Sequence, residues 1–200
     1  LAVRPDVDYM VEEFIEGDIV TFDGLVDTEG RICFSNSFVY SAGVMDIVNQ
    51  DLDNCYYTIR EIPADIRELG ERCVDAFRLK ERFFHMEFFR KADGSLVALE
   101  INARPPGGQS MDMFNYANDV NLYDQYARAV LGLPFDANVG HPYFCANIGL
   151  KVREGLSRRH SREEVLSAYG SLIMEHGPVP EIFSQAMGNY AYILRTPDYE

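Results

Sequence analysis

The chain has 200 residues, of which 47 % are hydrophobic, and its 32 acidic against 18 basic side chains leave a net charge of −14. That length can bury a substantial core, so one domain with an appendage, or two small domains, is the expected range. The negative charge argues against nucleic acid and anionic membrane as partners, which need clustered Lys and Arg, and an anionic ligand such as a nucleotide would need a metal ion, a few placed cations or backbone N–H groups to offset it.

The chain opens without an initiator Met and reaches a strand-like run, residues 9–15, almost at once, as expected of a piece of something longer. Strand-like runs follow at 19–26 and 31–41. Between them Asp27-Thr28-Glu29-Gly30 reads as a turn, with Gly where positive φ is tolerated, so the two runs pair as a hairpin. Residues 42–54 show no period and read as a loop. From Pro63 to residue 81, apolar residues recur at helical spacing (Ile66, Leu69, Cys73, Val74, Phe77), which predicts an amphipathic helix packed on a sheet. Strands at 83–90 and 95–102, a Pro-Pro-Gly-Gly loop, and a helical stretch ending at Gly132 come next. Residues 134–142 are the best candidate boundary, dividing the chain into 1–135 and an extension, 136–200. The extension reads as a strand at 143–152, a helix opened by the capping box Ser161 to Glu164 and running to Gly177, and a strand at 190–195. The last five residues look like the first turn of a helix, and both ends read as truncations. The expected class is α+β: an antiparallel sheet packed with helices, plus a small α/β extension.

No apolar run approaches transmembrane length. Cys33, Cys55, Cys73 and Cys145 are widely spaced, which favours buried thiols in a reducing cytoplasm over a zinc site or a disulfide framework. A cytoplasmic protein is the expectation.

The informative stretch is residues 85–105, HMEFFRKADGSLVALEINARP. Asp93-Gly94 is the strongest hairpin signal in the chain. With a loop of two or four residues, partner numbers across the ladder sum to 187, so Glu87 faces Glu100 and His85 faces Asn102, all on one side of the sheet. The other side, Phe84, Met86, Phe88, Leu99 and Ile101, forms a hydrophobic layer against the helix at 63–81. Carboxylates about 5 Å apart repel by roughly 3 kcal/mol at an effective dielectric near 20. A solvated rim with splayed side chains would relieve this, but Phe83 and Phe89 flank Glu87 on the same side and keep the surface partly dry. Two carboxylates plus the Asn102 amide oxygen suit a hard cation such as Mg²⁺ or Mn²⁺. Arg104 then offers a cationic fork for a phosphoryl group or carboxylate, or an ordinary ion pair. Gly107 and Gly108 leave bare backbone for a substrate to approach.

H-x-E-x-F on one strand followed by L-E-I-N-A-R-P on the next resembles the metal and phosphate site of the ATP-grasp superfamily of carboxylate-amine and carboxylate-thiol ligases. Upstream, VEEFIEGD, residues 11–18, resembles that family's adenine-binding hinge. The resemblance covers roughly residues 9–132. It implies that Glu87, Glu100 and Asn102 hold Mg²⁺ on the ATP phosphates, that Glu100 bridges, and that Arg104 stabilises the transferring phosphate and an acyl phosphate. It also implies that Glu12 and the backbones of Glu13 and Ile15, on either side of Phe14, meet adenine, and that Asp18 holds the ribose. Without it, an acidic strand edge is the simpler reading of EEFIEGD, and His85 is better read as a satisfied structural histidine.

The resemblance further implies small-molecule carboxylate and amine or thiol substrates, compatible with a homodimer. The phosphate-gripping lysines of the family lie upstream of the hinge, so residues 1–135 correspond to the C-terminal lobe alone, which is expected to bind nucleotide weakly and not to turn over. A metal-dependent phosphohydrolase and a noncatalytic ATP-grasp-like binding module are the rival readings.

Overall fold

The computed structural model describes residues 6–199. Among them nine strands form one sheet in which every pairing is antiparallel. In chain order the elements are β1 (Asp18–Val26), β2 (Ile32–Asn36), β3 (Phe38–Tyr40), α1 (Val44–Asn49), β4 (Asn54–Thr58), α2 (Ala64–Phe77), β5 (Arg82–Arg90) and β6 (Leu96–Asn102). They are followed by α3 (Ser110–Asn118), α4 (Leu122–Val130), β7 (Phe144–Leu150), α5 (Arg162–Tyr169), β8 (Ile173–Pro178), a 3-10 turn at Glu181–Phe183, α6 (Ser184–Met187) and β9 (Tyr190–Thr196). The sheet order is β6-β5-β1-β3-β4-β7-β9-β8, with β2 also paired to β1. The α+β class is as expected.

Alternation along β1 and β5 builds two cores, one on each face. Val20, Phe22, Phe84, Met86 and Phe88 pack with Ile66 and Val74 of α2. On the opposite face Leu25, Phe34, Phe38 and Phe83 pack with Met113 and Phe114 of α3 and Leu122 of α4, and with Cys145 and Ile193 from the C-terminal strands. Residues 134–142 hold no helix or strand, yet β7 directly after them pairs with β4 and continues the same sheet.

Several sequence expectations are corrected. Residues 9–15 are not a strand: they have no ladder partner among the described residues and lie exposed, Val11 at 91 % and Phe14 at 86 %. The 31–41 run is broken at Ser37 into β2 and β3, where Thr21 Oγ1 accepts the Phe38 N–H in place of a ladder bond. The supposed loop at 42–54 contains α1, a short helix whose apolar signal is the single buried Ile47, and β4 follows it. The helix opened by Ser161 does keep its capping box but ends at Gly170, and Ile173–Pro178 becomes β8. Residues 197–199 are not helical.

The hairpin between β5 and β6 has a three-residue loop, closed by Lys91 N–H to Ser95 O at 2.9 Å, with Gly94 at φ 83°. Near the turn the partners therefore sum to 186 (Phe89 with Val97, Phe88 with Ala98). A bulge at Leu99 then adds one residue, restoring 187: Glu87 faces Glu100 and His85 faces Asn102. A bulge beside a functional residue re-aims side chains, and here it sets both glutamates opposite each other.

Candidate active site

β5 lies between β1 and β6, so the glutamates gain neighbours on both sides. Across β1, Thr21 faces Glu87 and Asp23 faces His85. Asp23 is fully buried, and its Oδ1 meets His85 Nδ1 at 2.6 Å while the Thr21 hydroxyl donates to its other oxygen. The second ring nitrogen, His85 Nε2, meets Glu87 Oε1 at 3.1 Å. Burial by itself would lower the His85 pKa, but the hydrogen bonds to Asp23 and Glu87 outweigh it and raise it to about 10. Burial pushes Asp23 up, against the lowering effect of His85. At neutral pH His85 is thus an imidazolium between two carboxylates, as a satisfied structural histidine should be, and part of the Glu87–Glu100 repulsion is offset within the protein.

Ligand atoms of His85, Glu87 and Glu100 all lie within 4.8 Å of one another. Paired carboxylates at that spacing suit an oxygen-seeking divalent cation, so Glu87 and Glu100, rather than the protonated ring, are the groups that fit Mg²⁺ or Mn²⁺. Asn102 meets Glu100 as a donor, its Nδ2 2.7 Å from Glu100 Oε1, which orients that carboxylate. Arg104 is exposed and donates to the Pro105 carbonyl at 2.8 Å, while the loop after it, Pro106 to Gln109, lines a cavity of about 540 Å³ together with His85 and Glu87.

The chain belongs to the ATP-grasp family. The ATP-grasp domain matches residues 2–112, more than half of the sequence and the whole of the β5–β6 hairpin. No curated protein sequence matches the chain. Solved structures share the ATP-grasp fold: L-amino acid ligase from Bacillus licheniformis (TM-score 0.69, 15 % identity, 93 % of this chain and 50 % of that one), and the phosphoribosylaminoimidazole carboxylase ATPase subunit from Aquifex aeolicus (0.66, 12 %, 94 % and 54 %). A third is the biotin carboxylase domain of Hydrogenobacter thermophilus 2-oxoglutarate carboxylase, solved with ADP, its magnesium salt and bicarbonate (0.55, 12 %, 90 % and 42 %). The chain spans about half the length of these structures.

The other residues that the resemblance singles out lie apart from the glutamates. Glu13, Phe14 and Ile15 line a shallow cavity of about 470 Å³ with Lys91 and Asp93 at the hairpin turn, and Glu12 is exposed beside them. Asp18 pairs with Arg90, three residues along β1 from Thr21 and hence roughly 10 Å from the glutamates. Strand alternation puts Asp18 on the side of Val20 and Phe22, away from Thr21 and Asp23.

Sequence reasoning missed Asp23 and Thr21. They sit in a strand whose pairing with β5 no local motif announces; the polar residues at 21 and 23 amid apolar neighbours were the available signal. It also missed residues 177–180 with Phe183, Ala186 and Met187, which line the 540 Å³ cavity from the far side. Among the described residues, no helix is long and apolar enough to cross a membrane.

Proposed function

We propose that the protein is an ATP- and Mg²⁺-dependent ligase that joins a small-molecule carboxylate to an amine, or to a thiol, through an acyl phosphate. The observation that carries this reading is the Glu87–Glu100 pair, held face to face by the Leu99 bulge within a hairpin that matches the ATP-grasp domain. Bound Mg²⁺ would neutralise phosphate oxygens there. Glu87, Glu100 and the Asn102 amide oxygen would hold it, with His85 bonded to Glu87 and the Asn102 Nδ2–H group to Glu100. Exposed Arg104 can swing towards a transferring phosphate or acyl phosphate, since among the described residues its side chain bonds to the adjacent carbonyl alone. Such chemistry needs positioning and charge neutralisation more than a nucleophile.

The exposed segment of Glu12, Glu13, Phe14 and Ile15 is the proposed adenine hinge. Its supports are the cavity it lines and its distance from the glutamates, which suits a nucleoside at one end and phosphates at the other. Asp18 as a ribose ligand requires its side chain to turn at the strand end. The reading includes a cytoplasmic location, residues 1–135 as the C-terminal lobe and 136–200 as an appended unit, and weak nucleotide binding by these 200 residues alone.

Glu100→Gln in the intact protein is expected to abolish Mg²⁺-dependent ADP release while circular dichroism and thermal melting stay close to wild type. Unchanged turnover would remove the metal assignment. ADP release that needs no acceptor amine or thiol would instead favour a phosphohydrolase.

A further inference from the structure

The 540 Å³ cavity is within the size range of small-molecule sites, and it has two chemically different ends. His85 and Glu87 form one. Pro178, Phe183, Ala186 and Met187 form the other, all from β8 and the turn and helix after it, beyond the ATP-grasp match at 2–112. This apolar wall is firmly placed. A Cβ on Gly149 would lie 2.0 Å from the Met187 carbonyl oxygen, so α6 packs on the bare backbone of β7, and Asn54 Nδ2 meets Met187 Sδ at 3.5 Å.

Between the two ends lies the start of α3. Its cap residue, Gln109, makes no side-chain capping bond, and of the first-turn amides the Ser110 N–H reaches the Gly107 carbonyl at 3.4 Å. Gly107, Gly108, Gln109 and Ser110 line the cavity here, and a Cβ on Gly107 would meet nothing within 4 Å. An independent feature points to the same spot. Tyr56 lines the cavity at 3 % exposure and its buried hydroxyl has no hydrogen-bond partner among the described residues; Ser110 is close by but out of hydrogen-bonding geometry. A Cβ on Gly108 would stand 3.7 Å from that hydroxyl. A buried hydroxyl left unsatisfied is destabilising, and a ligand oxygen would relieve it.

We propose, resting on the ligase reading above, that this cavity is the acyl-substrate subsite and that the substrate is a carboxylic acid bearing an apolar or aromatic group. Its carboxylate sits at the start of α3, against the Gly107–Gly108 backbone and the Tyr56 hydroxyl. Its apolar group lies against Phe183, Ala186 and Met187. Glu175, also on the cavity wall, disfavours a second carboxylate.

The test is calorimetric titration of the intact protein, with and without MgATP, using 3-phenylpropanoate, its amide and succinate as probes. The phenylpropanoate should bind, the other two at least about tenfold more weakly. Gly107→Ala adds a methyl that no protein atom opposes, and Phe183→Glu alters a side chain that is 55 % exposed; each should weaken phenylpropanoate about tenfold. Equal affinity for all three probes, binding of none, or indifference to both substitutions overturns the proposal. Binding of MgATP alone to the wild type reports separately on the ligase reading. Its absence beside intact carboxylate selectivity would sink that reading, and with it the acyl role, and leave the cavity a binding pocket for an apolar carboxylate.

Discussion

Asp23, His85 and Glu87 form a line of three titratable groups running from the buried β1 strand to the cavity. The imidazolium neutralises a carboxylate that has no access to water, and it holds Glu87 by its other nitrogen. Removing one partner of such a buried pair leaves a desolvated charge behind, at about 3 kcal/mol or more. Asp23→Asn is therefore expected to destabilise the fold by about that amount in urea denaturation. It should also drop the His85 titration, followed by NMR, from about 10 towards its ordinary value or below, since burial then acts with one charged partner fewer. A His85 titration left near 10 would show that Asp23 does not set it. Of these residues the sequence disclosed His85 and Glu87, through the H-x-E spacing and strand alternation. It could not disclose Asp23, because the β1–β5 pairing joins residues 62 apart with α2 between them.

The same contrast governs the elements. α2 is readable from its apolar stripe, but at one point it meets the sheet through a residue with no side chain. A Cβ on Gly70 would stand 2.0 Å from Phe22 Cδ1, and Phe22 is fully buried. Gly70→Ala would gain about 1 kcal/mol of helix propensity, yet overpacking against a ring that cannot move is expected to outweigh it, for a net loss of about 1–2 kcal/mol. Thermal melting of the variant decides the sign, and a raised midpoint would mean that α2 stands further from the sheet. Elsewhere local signals misled. Apolar residues at 165, 166, 172 and 173 continue the α5 pattern through Gly170, but pairing with β9 makes Ile173–Pro178 a strand. The β5–β6 loop has three residues where two or four are expected, and the register at the glutamates is nevertheless as expected because the Leu99 bulge compensates.

Across the whole molecule, the chain carries a net charge of −14, and some of its few cations are spent on holding distant segments together. Arg158 pairs with Asp53 through both nitrogens, at 2.6 and 2.9 Å, and Lys151 and Arg153 pair with Asp51. These contacts tie the segment after β7 to the one before β4. The hydrogen bonds from Arg158 hold the Asp53 pKa down to about 2. A carboxylate with a depressed folded pKa adds stability that is full above its ordinary value and is lost as pH falls through the folded one. Asp53→Asn, which keeps an oxygen for the Lys151 N–H, is expected to lose about 1 kcal/mol at pH 7 for this partly exposed pair. In urea titrations its deficit against the wild type should close as pH drops from 4 towards 2. A deficit that persists unchanged at pH 2 would assign the loss to packing.

By itself the sequence determined the α+β class, the β5–β6 hairpin and α2, because periodicity and turn chemistry act over a few residues; the facing of Glu87 with Glu100 is as expected, but it is the Leu99 bulge that sets it. Only the tertiary structure decided that residues 144–196 extend the same sheet, that Asp23 lies under His85, and that Phe183 and Met187 close the cavity beside the glutamates. Those contacts join residues far apart in the chain. Their partners are chosen by burial and ladder hydrogen bonding across the assembled sheet, which leave no local pattern to read.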